Sequence, residues 1–167
     1  MIVSATVERL EDHIEFKQWK KDNKTSYLAH VFKLVDQANK DIWQIGYYNL
    51  NDTITTFTID YDDVRIIPEE AVFKKTDKKV RRLDLSKVKI DLDKALSIAE
   101  DFQKNNYKMD DPERIIVILQ NVAKNIMYNV TYITKVVNLL NMKIDAKTGN
   151  MICHEITPLM QFTGKAG

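Results

Sequence analysis

Three histidines and one cysteine are the side chains with the most reactive chemistry in this sequence. His13, His30 and His154 lie far apart and fit no metal-ligand spacing. Cys153 and His154 are adjacent, so on a strand they would point to opposite faces and could not form a nucleophile–base pair. We therefore expect no catalytic centre here, and we predict that Cys153 is a buried or half-buried side chain.

An acidic cluster offers the other candidate for chemistry. Asp60, Asp62 and Asp63 lie close together, but a calcium-binding loop needs further oxygen ligands and a glycine that this segment lacks. The chain also has no phosphate-binding loop, no dinucleotide-binding fingerprint and no nucleophile elbow. The sequence therefore predicts a non-enzymatic protein with no metal and no cofactor.

Composition indicates a globular chain. Of its 167 residues, 44% are hydrophobic and 29% are charged, which suffices for one compact domain or two small lobes packed together. A net charge of +1 gives no general attraction to nucleic acid or to an anionic membrane. One cysteine, no signal-like N-terminus and no apolar run of spanning length lead us to expect a cytoplasmic protein without a membrane span.

Helical spacing of apolar residues predicts three helices. The first covers residues 5–21, with Ser4 or Thr6 as a candidate N-cap; the second covers 26–38; the third begins at a cap, Asp91 or Asp93, and ends near Lys104. The three stripes are Val7, Leu10 and Ile14; Leu28, Val31, Phe32 and Val35; and Leu92, Ala95, Leu96, Ala99 and Phe102.

Alternating patterns predict strands over residues 42–50, 53–60, 114–121, 126–133, 140–145 and 151–156, with a short strand at 71–74. Runs of consecutive strands favour antiparallel pairing. The last two strands flank a turn in which Asp145 can accept hydrogen bonds from backbone amides and Gly149 supplies the positive φ. We interpret this hairpin as a structural turn.

Two strand regions resemble each other at an offset of 85 residues. Trp43, Ile45 and Tyr47 align with Tyr128, Val130 and Tyr132, and Phe57, Ile59 and Asp60 align with Met142, Ile144 and Asp145. The helix stripes align at a shorter offset, so the second copy should carry one strand that the first lacks, residues 114–121. We predict an internal repeat.

The order of helix, strands and a closing "KIDAKTGNMI" hairpin resembles the PepSY domain family. The matching residues are Tyr128, Val130, Tyr132, Ile144, Asp145, Ala146, Thr148, Gly149 and Ile152, with the helix around 95–99. The resemblance covers residues 86–157, and the segment from about 26 to 73 looks like a degenerate copy. It implies an α+β fold in which two tandem units, cystatin-like in shape, each pack a helix on an antiparallel sheet.

These interpretations divide the chain into an N-terminal helix (1–25), a first unit with a basic linker (26–83) and a second unit with a C-terminal tail (84–167). The basic run in the linker, over residues 74–82, could keep the chain soluble or meet phosphates or an acidic partner. The units should share one cooperative core, because each alone buries little surface.

The leading functional hypothesis is a binding or regulatory module that engages a protein or peptide, with a sheet edge as one route. The PepSY resemblance adds restraint of a peptidase as an expectation. The alternative is a small-molecule pocket in an aromatic groove between helix and sheet, formed by Trp43, Tyr47, Tyr128 and Tyr132. The same four side chains would also fit a sheet face packed under a helix. The oligomeric state is left open.

Overall fold

The computed structural model describes residues 2–36, 42–61, 63–71, 80–109, 111–134 and 138–158. These residues form three α-helices, one short 3-10 helix (Leu85–Lys87) and eight β-strands. The helices are α1 (Val3–Asp12), α2 (Ile14–Asp22) and α3 (Leu92–Asn106). The strands are β1 (Tyr27–Val35), β2 (Ile42–Tyr48), β3 (Thr53–Asp60), β4 (Asp63–Ala71), β5 (Arg114–Val122), β6 (Asn125–Ile133), β7 (Asn138–Asp145) and β8 (Met151–Pro158).

All eight strands belong to one antiparallel sheet in the order β4-β3-β2-β1-β5-β6-β7-β8. Each half of the sheet is a four-strand meander, and β1 pairs with β5 to join the halves edge to edge. The α+β class and the antiparallel pairing predicted from the sequence are confirmed. The helices cover one face, and none of those described is long and apolar enough to cross a membrane.

The predicted helix over residues 26–38 is wrong, because Tyr27–Val35 is strand β1, and residues 37 and 38 lie outside the described residues. Leu28 pairs with Tyr47 and Val31 pairs with Ile45, and a bulge interrupts the register between Leu28 and His30. Tyr47 and Ile45 are two apart on β2, so they share a face, and the bulge places Leu28 and Val31 on that same face. A bulged strand thus shows a three-residue spacing that imitates a helix.

Strand β1 also supplies the element that the first unit was expected to lack. β1 is the counterpart of β5, so both halves contain four strands. Residues 72–79, which hold most of the basic run and the rest of the predicted 71–74 strand, lie outside the described residues. The same is true of Asp62 and of residues 159–167.

The single N-terminal helix predicted over residues 5–21 is two helices with a break at His13. The backbone of His13 is extended (φ −68°, ψ 145°), and its Nδ1 accepts a hydrogen bond from the Glu15 amide at 3.4 Å. α1 begins after Ile2, which offers no side-chain cap, instead of after Ser4 or Thr6. Because of the break, Phe16 is buried while Ile14, part of the predicted stripe, is 61% exposed.

Helix α3 begins where its sequence predicts. The Asp91 carboxylate accepts a hydrogen bond from the Lys94 amide at 2.9 Å, which is the geometry of an N-cap. Leu92, Ala95 and Ala99 are buried against the sheet. Local signals suffice for this helix because both the cap and the apolar stripe lie within one short segment.

The two halves of the sheet have the same register where the sequence repeats. Trp43 pairs with Ile59 on β2–β3, and Tyr128 pairs with Ile144 on β6–β7. One apolar cluster extends through both halves and includes residues from α1, α2 and α3. The derivation of the two halves from one duplicated unit stays a prediction, as does the division of the chain at residue 84.

Candidate functional site

The four aromatic residues of the predicted groove lie on β2 and β6, on the face that the helices cover. Trp43, Tyr47, Tyr128 and Tyr132 are each 5% exposed or less. β1 and β5 separate the two pairs, so no single groove brings the four side chains together. Their position agrees with the alternative of a sheet face packed under helices.

Tyr47 nevertheless reaches a surface carboxylate. Its ring packs against Phe16 at 4.9 Å between centroids, and its hydroxyl donates to Glu11 Oε1 at 2.8 Å. Burial raises the pKa of the Tyr47 hydroxyl well above its usual range, and the Glu11 charge and hydrogen bond add to the effect. Tyr47 therefore remains a protonated donor that fixes the position of the Glu11 carboxylate.

Tyr128 on β6 is held in a similar way. The Tyr128 hydroxyl donates to the Ile90 carbonyl oxygen at 2.9 Å. Burial raises the pKa of Tyr128 above its usual range, with a further contribution from the Asp91 charge. Burial, helped by the Glu100 charge, raises the pKa of Tyr132 to about 12. Neither phenol ionises near neutral pH, so both act as structural side chains.

Lys33 is a buried lysine that the sequence analysis did not single out. It is 1% exposed, and its Nζ lies 4.4 Å from the centroid of the Trp43 ring. A cation over an indole face is attracted by the ring quadrupole. The sequence pattern does not indicate that Lys33 is buried, because position 33 is not part of the apolar stripe of the helix predicted for this segment.

The closing hairpin has the turn that its sequence predicts. Asp145 Oδ1 accepts from the amides of Lys147 (2.9 Å) and Thr148 (2.7 Å), and Gly149 has φ +79°. Partial burial opposes ionisation of the Asp145 carboxyl, but these bonds and the nearby Lys147 charge hold its pKa below the usual value. Asp145 and Gly149 are thus structural residues.

A cleft of about 820 Å³ opens between α1, α2, the start of β1 and residues 82–86; we call it the α1 cleft. Val7, Leu28 and Leu83 give it apolar walls, and Tyr47 borders it. Its charged side chains are Glu8, Glu11, Lys20, Arg82 and Asp84. The spacing of Glu8 and Glu11 on one helix is visible in the sequence, but nothing local signals that Arg82 lines the same cleft.

Two smaller clefts border the second half. One of about 160 Å³ lies over Tyr128 and the Ile90–Asp91 segment. Another of about 430 Å³ has lysines around it, namely Lys87, Lys89, Lys124 and Lys147. In the described part of the chain no group of histidine, cysteine, aspartate and glutamate residues is arranged to hold a metal ion.

The sheet has two outer strands of different character. β4 pairs with β3 through a bulge beside Pro68: Ile67 is opposite Thr56 and Glu70 is opposite Ile54. β8 pairs with β7, with a register shift of its own between Lys143 and Ile144, and its free side has no neighbouring strand among the described residues. Ile152 and Ile156 on β8 are 44% and 43% exposed. β8 is therefore the strand edge that is better suited to further pairing.

The predicted burial of Cys153 is wrong, because the thiol is exposed on β8. Cys153 is opposite Lys143 on β7, on the sheet face away from the helices, and β8 is an outer strand. His154 points to the helix-covered face, where its Nδ1 lies 2.6 Å from the Tyr107 hydroxyl and its ring 4.7 Å from that of Phe102. The two adjacent side chains thus lie on opposite faces, as expected.

Comparison with known proteins identifies one solved structure of similar fold among those compared. No protein-family model matches the chain, and no curated protein matches it. A crystal structure of a "putative lipoprotein" from Clostridium difficile 630 is similar, with a TM-score of 0.58 at 17% identity. The similarity covers 86% of this chain and 90% of that protein. At this identity it shows a shared fold, and the PepSY resemblance rests on the sequence motif alone.

Proposed function

We propose that this chain is a non-enzymatic binding module that holds an extended segment of a partner protein or peptide along β8. The observation that carries the proposal is the open edge of β8. An outer strand presents unpaired backbone N–H and C=O groups, and an added strand gains affinity by hydrogen-bonding to them.

The contrast with β4 supports this choice of edge. Proline has no backbone N–H and charged residues discourage pairing, and β4 contains Pro68 beside Glu69 and Glu70. β8 has no proline before Pro158 and one charged residue, Glu155. β8 therefore has fewer of the features that oppose an incoming strand than β4 has.

The side chains on the two faces of β8 would determine which partner strands fit beside it. On the helix side, the rings of Phe102, Tyr107 and His154 form an aromatic surface next to the strand. On the other side Cys153 and Glu155 are exposed. A partner strand that carries apolar or aromatic residues at alternate positions would place them against α3.

The test uses the tagged full chain in a pull-down from lysate of its source cells. We expect a stoichiometric partner to be recovered by the wild-type chain and lost with the double variant Ile152→Lys and Ile156→Lys, since charges on an edge strand oppose strand addition. Ile66→Lys is the matched control, because Ile66 is 42% exposed on the other outer strand. Hydrogen exchange on the complex should show new protection within Met151–Pro158.

Two results would overturn the proposal. One is the recovery of no partner at any of several salt concentrations. The other is a partner that is retained by the β8 variant and lost with Ile66→Lys, which would place the interface on the opposite edge.

We extend the proposal to two tandem PepSY-like units and to a peptidase as the partner. The common register of the β2–β3 and β6–β7 hairpins supports the first part. The second part has the sequence resemblance as its support. The purified partner should then cleave a peptide substrate more slowly when the chain is added, and a partner without peptidase activity would refute this extension. A cytoplasmic location also stays a prediction, which cell fractionation would test.

A further inference from the structure

The α1 cleft lies apart from β8 and has a ligand preference of its own. The sequence left open a small-molecule pocket in an aromatic groove between helix and sheet, and of the four side chains expected to form it Tyr47 alone lines this cleft. Its volume of about 820 Å³ falls within the range of roughly 300 to 1,000 Å³ that is usual for small-molecule sites. The chemistry of its charged groups decides what it would hold.

Two of the five charged groups already make hydrogen bonds or ion pairs within the protein that leave them little capacity for a ligand. Lys20 Nζ donates to the carbonyl oxygens of Ser26 (2.5 Å), Asn23 (3.3 Å) and Lys24 (3.3 Å), and an ammonium has three protons to donate. The Asp84 carboxylate accepts from the Ser86 amide and hydroxyl and forms an ion pair with Lys87 at 3.3 Å. Lys20 and Asp84 therefore maintain local structure.

The other three charged groups face the cleft with unused capacity. The Arg82 guanidinium carbon lies 5.1 Å from the centroid of the Tyr27 ring, a contact that uses none of its N–H groups as hydrogen-bond donors. Glu11 has one oxygen held by Tyr47 and a second that remains available. Within the described part of the chain, no hydrogen bond or ion pair engages the Glu8 carboxylate or the Arg82 guanidinium.

The unengaged groups of opposite charge belong to different walls of the cleft. Glu8 and Glu11 belong to α1, whereas Arg82 belongs to the segment that continues into Leu83, whose amide bonds to the Leu28 carbonyl oxygen at 2.8 Å. A simple cation would be repelled by Arg82 and Lys20, and a simple anion would be repelled by the two glutamates. A ligand with both charges would satisfy both walls.

We propose that the α1 cleft binds a small zwitterion with apolar side chains, a free amino acid or a di- or tripeptide. Its ammonium group would lie between Glu8 and Glu11, and its carboxylate would take the paired N–H groups of Arg82. Val7, Leu28 and Leu83 would cover its apolar side chain. This site is independent of strand addition at β8.

The experiment is titration calorimetry of the full chain with L-leucine, the dipeptide Leu-Gly and the tripeptide Leu-Gly-Gly. The two halves of leucine serve as control ligands: 3-methylbutylamine, which lacks the carboxylate, and 4-methylpentanoate, which lacks the amine. We expect saturable binding of at least one zwitterion, at least tenfold tighter than that of either half. The length that binds best distinguishes a free amino acid from a peptide.

Charge-neutral variants locate the site. Glu8→Gln, Glu11→Gln and Arg82→Gln should each weaken binding at least tenfold, and the amide oxygen introduced by Glu11→Gln could still accept the Tyr47 hydrogen bond. Glu15→Gln and Arg81→Gln are the matched controls, because both side chains are exposed and neither lines the cleft. Thermal unfolding of each variant checks that the fold is intact.

The proposal is overturned if none of the three zwitterions binds saturably, if a half molecule binds as tightly as the zwitterion, or if the control variants weaken binding as much as the cleft variants. Since the Glu8 carboxylate makes no hydrogen bond or ion pair to the described residues, Glu8→Gln keeps the test decisive even if Glu11→Gln or Arg82→Gln unfolds the chain.

Discussion

The imidazole ring of His30 lies over Gly46, its cross-strand partner on β2. A Cβ atom at position 46 would come within 2.6 Å of His30 Nε2, which is closer than real contacts allow. Glycine in a strand interior is otherwise unfavourable, so the packing of this ring accounts for the residue.

We expect Gly46→Ala to lower the free energy of unfolding by about 1–2 kcal/mol, because the ring must move from its packed position. In a His30→Ala background the same change should cost nothing or stabilise the strand, since alanine suits a strand better than glycine. Urea unfolding of the four proteins gives the coupling energy. An equal cost in both backgrounds would show that the ring does not determine this glycine.

His30 also predicts a pH dependence of stability. Burial lowers the pKa of His30 below its usual value, and its cross-strand partners Gly46 and Gln120 are uncharged. On acidification the unfolded chain takes up a proton near pH 6.5 while the folded chain resists protonation, so the free energy of unfolding should be steady above about pH 6.5 and fall below it.

Urea unfolding between pH 8 and pH 5 measures this effect. The His30→Phe variant should lose part of the wild-type slope below pH 6.5, while Cys153→Ser, on an exposed site, should keep it. Identical slopes for wild type and His30→Phe would assign the effect to other groups.

The closing turn makes a third prediction. Gly149→Ala should destabilise the chain by about 1–2 kcal/mol, because the backbone has φ +79° and a Cβ would lie 3.1 Å from Ile98 Cδ1. Lys147→Ala is the matched control, since Lys147 is exposed and contributes its backbone amide to Asp145. Thermal unfolding should separate the two variants, and a similar melting temperature for both would contradict the strain at position 149.

The fourth prediction concerns the joint between the halves. Residues 84–167 expressed alone would leave β5 without β1, its partner over six residue pairs from His30–Gln120 to Val35–Ile115. The fragment would also expose Val117 and Leu119, which are buried in the whole chain. We expect a molten or insoluble fragment. A sharp unfolding transition near that of the full chain would instead show two autonomous domains.

The sequence by itself determined the elements whose signals are local. Alternation identified β2, β3, β6 and β7, and the Asp91 cap located α3. The Asp145–Gly149 turn was visible because its hydrogen bonds and its positive φ involve neighbouring residues. The register that Trp43 and Tyr128 share with their partners follows from the same alternation, since a slip of one residue would turn every buried side chain to the other face.

Tertiary structure decided the rest, because it depends on partners distant in sequence. The bulge in β1 is defined by its pairing with β2, and without that pairing the spacing of Leu28 and Val31 indicates a helix. The exposure of Cys153 depends on β8 lying at the edge of the sheet. The α1 cleft depends on the bond between Leu83 and Leu28, which holds the segment of Arg82 against the start of β1, so that Arg82 and Glu11 line one cleft. Period and composition describe each segment alone, whereas pairing and burial are fixed by the free energy of the whole chain.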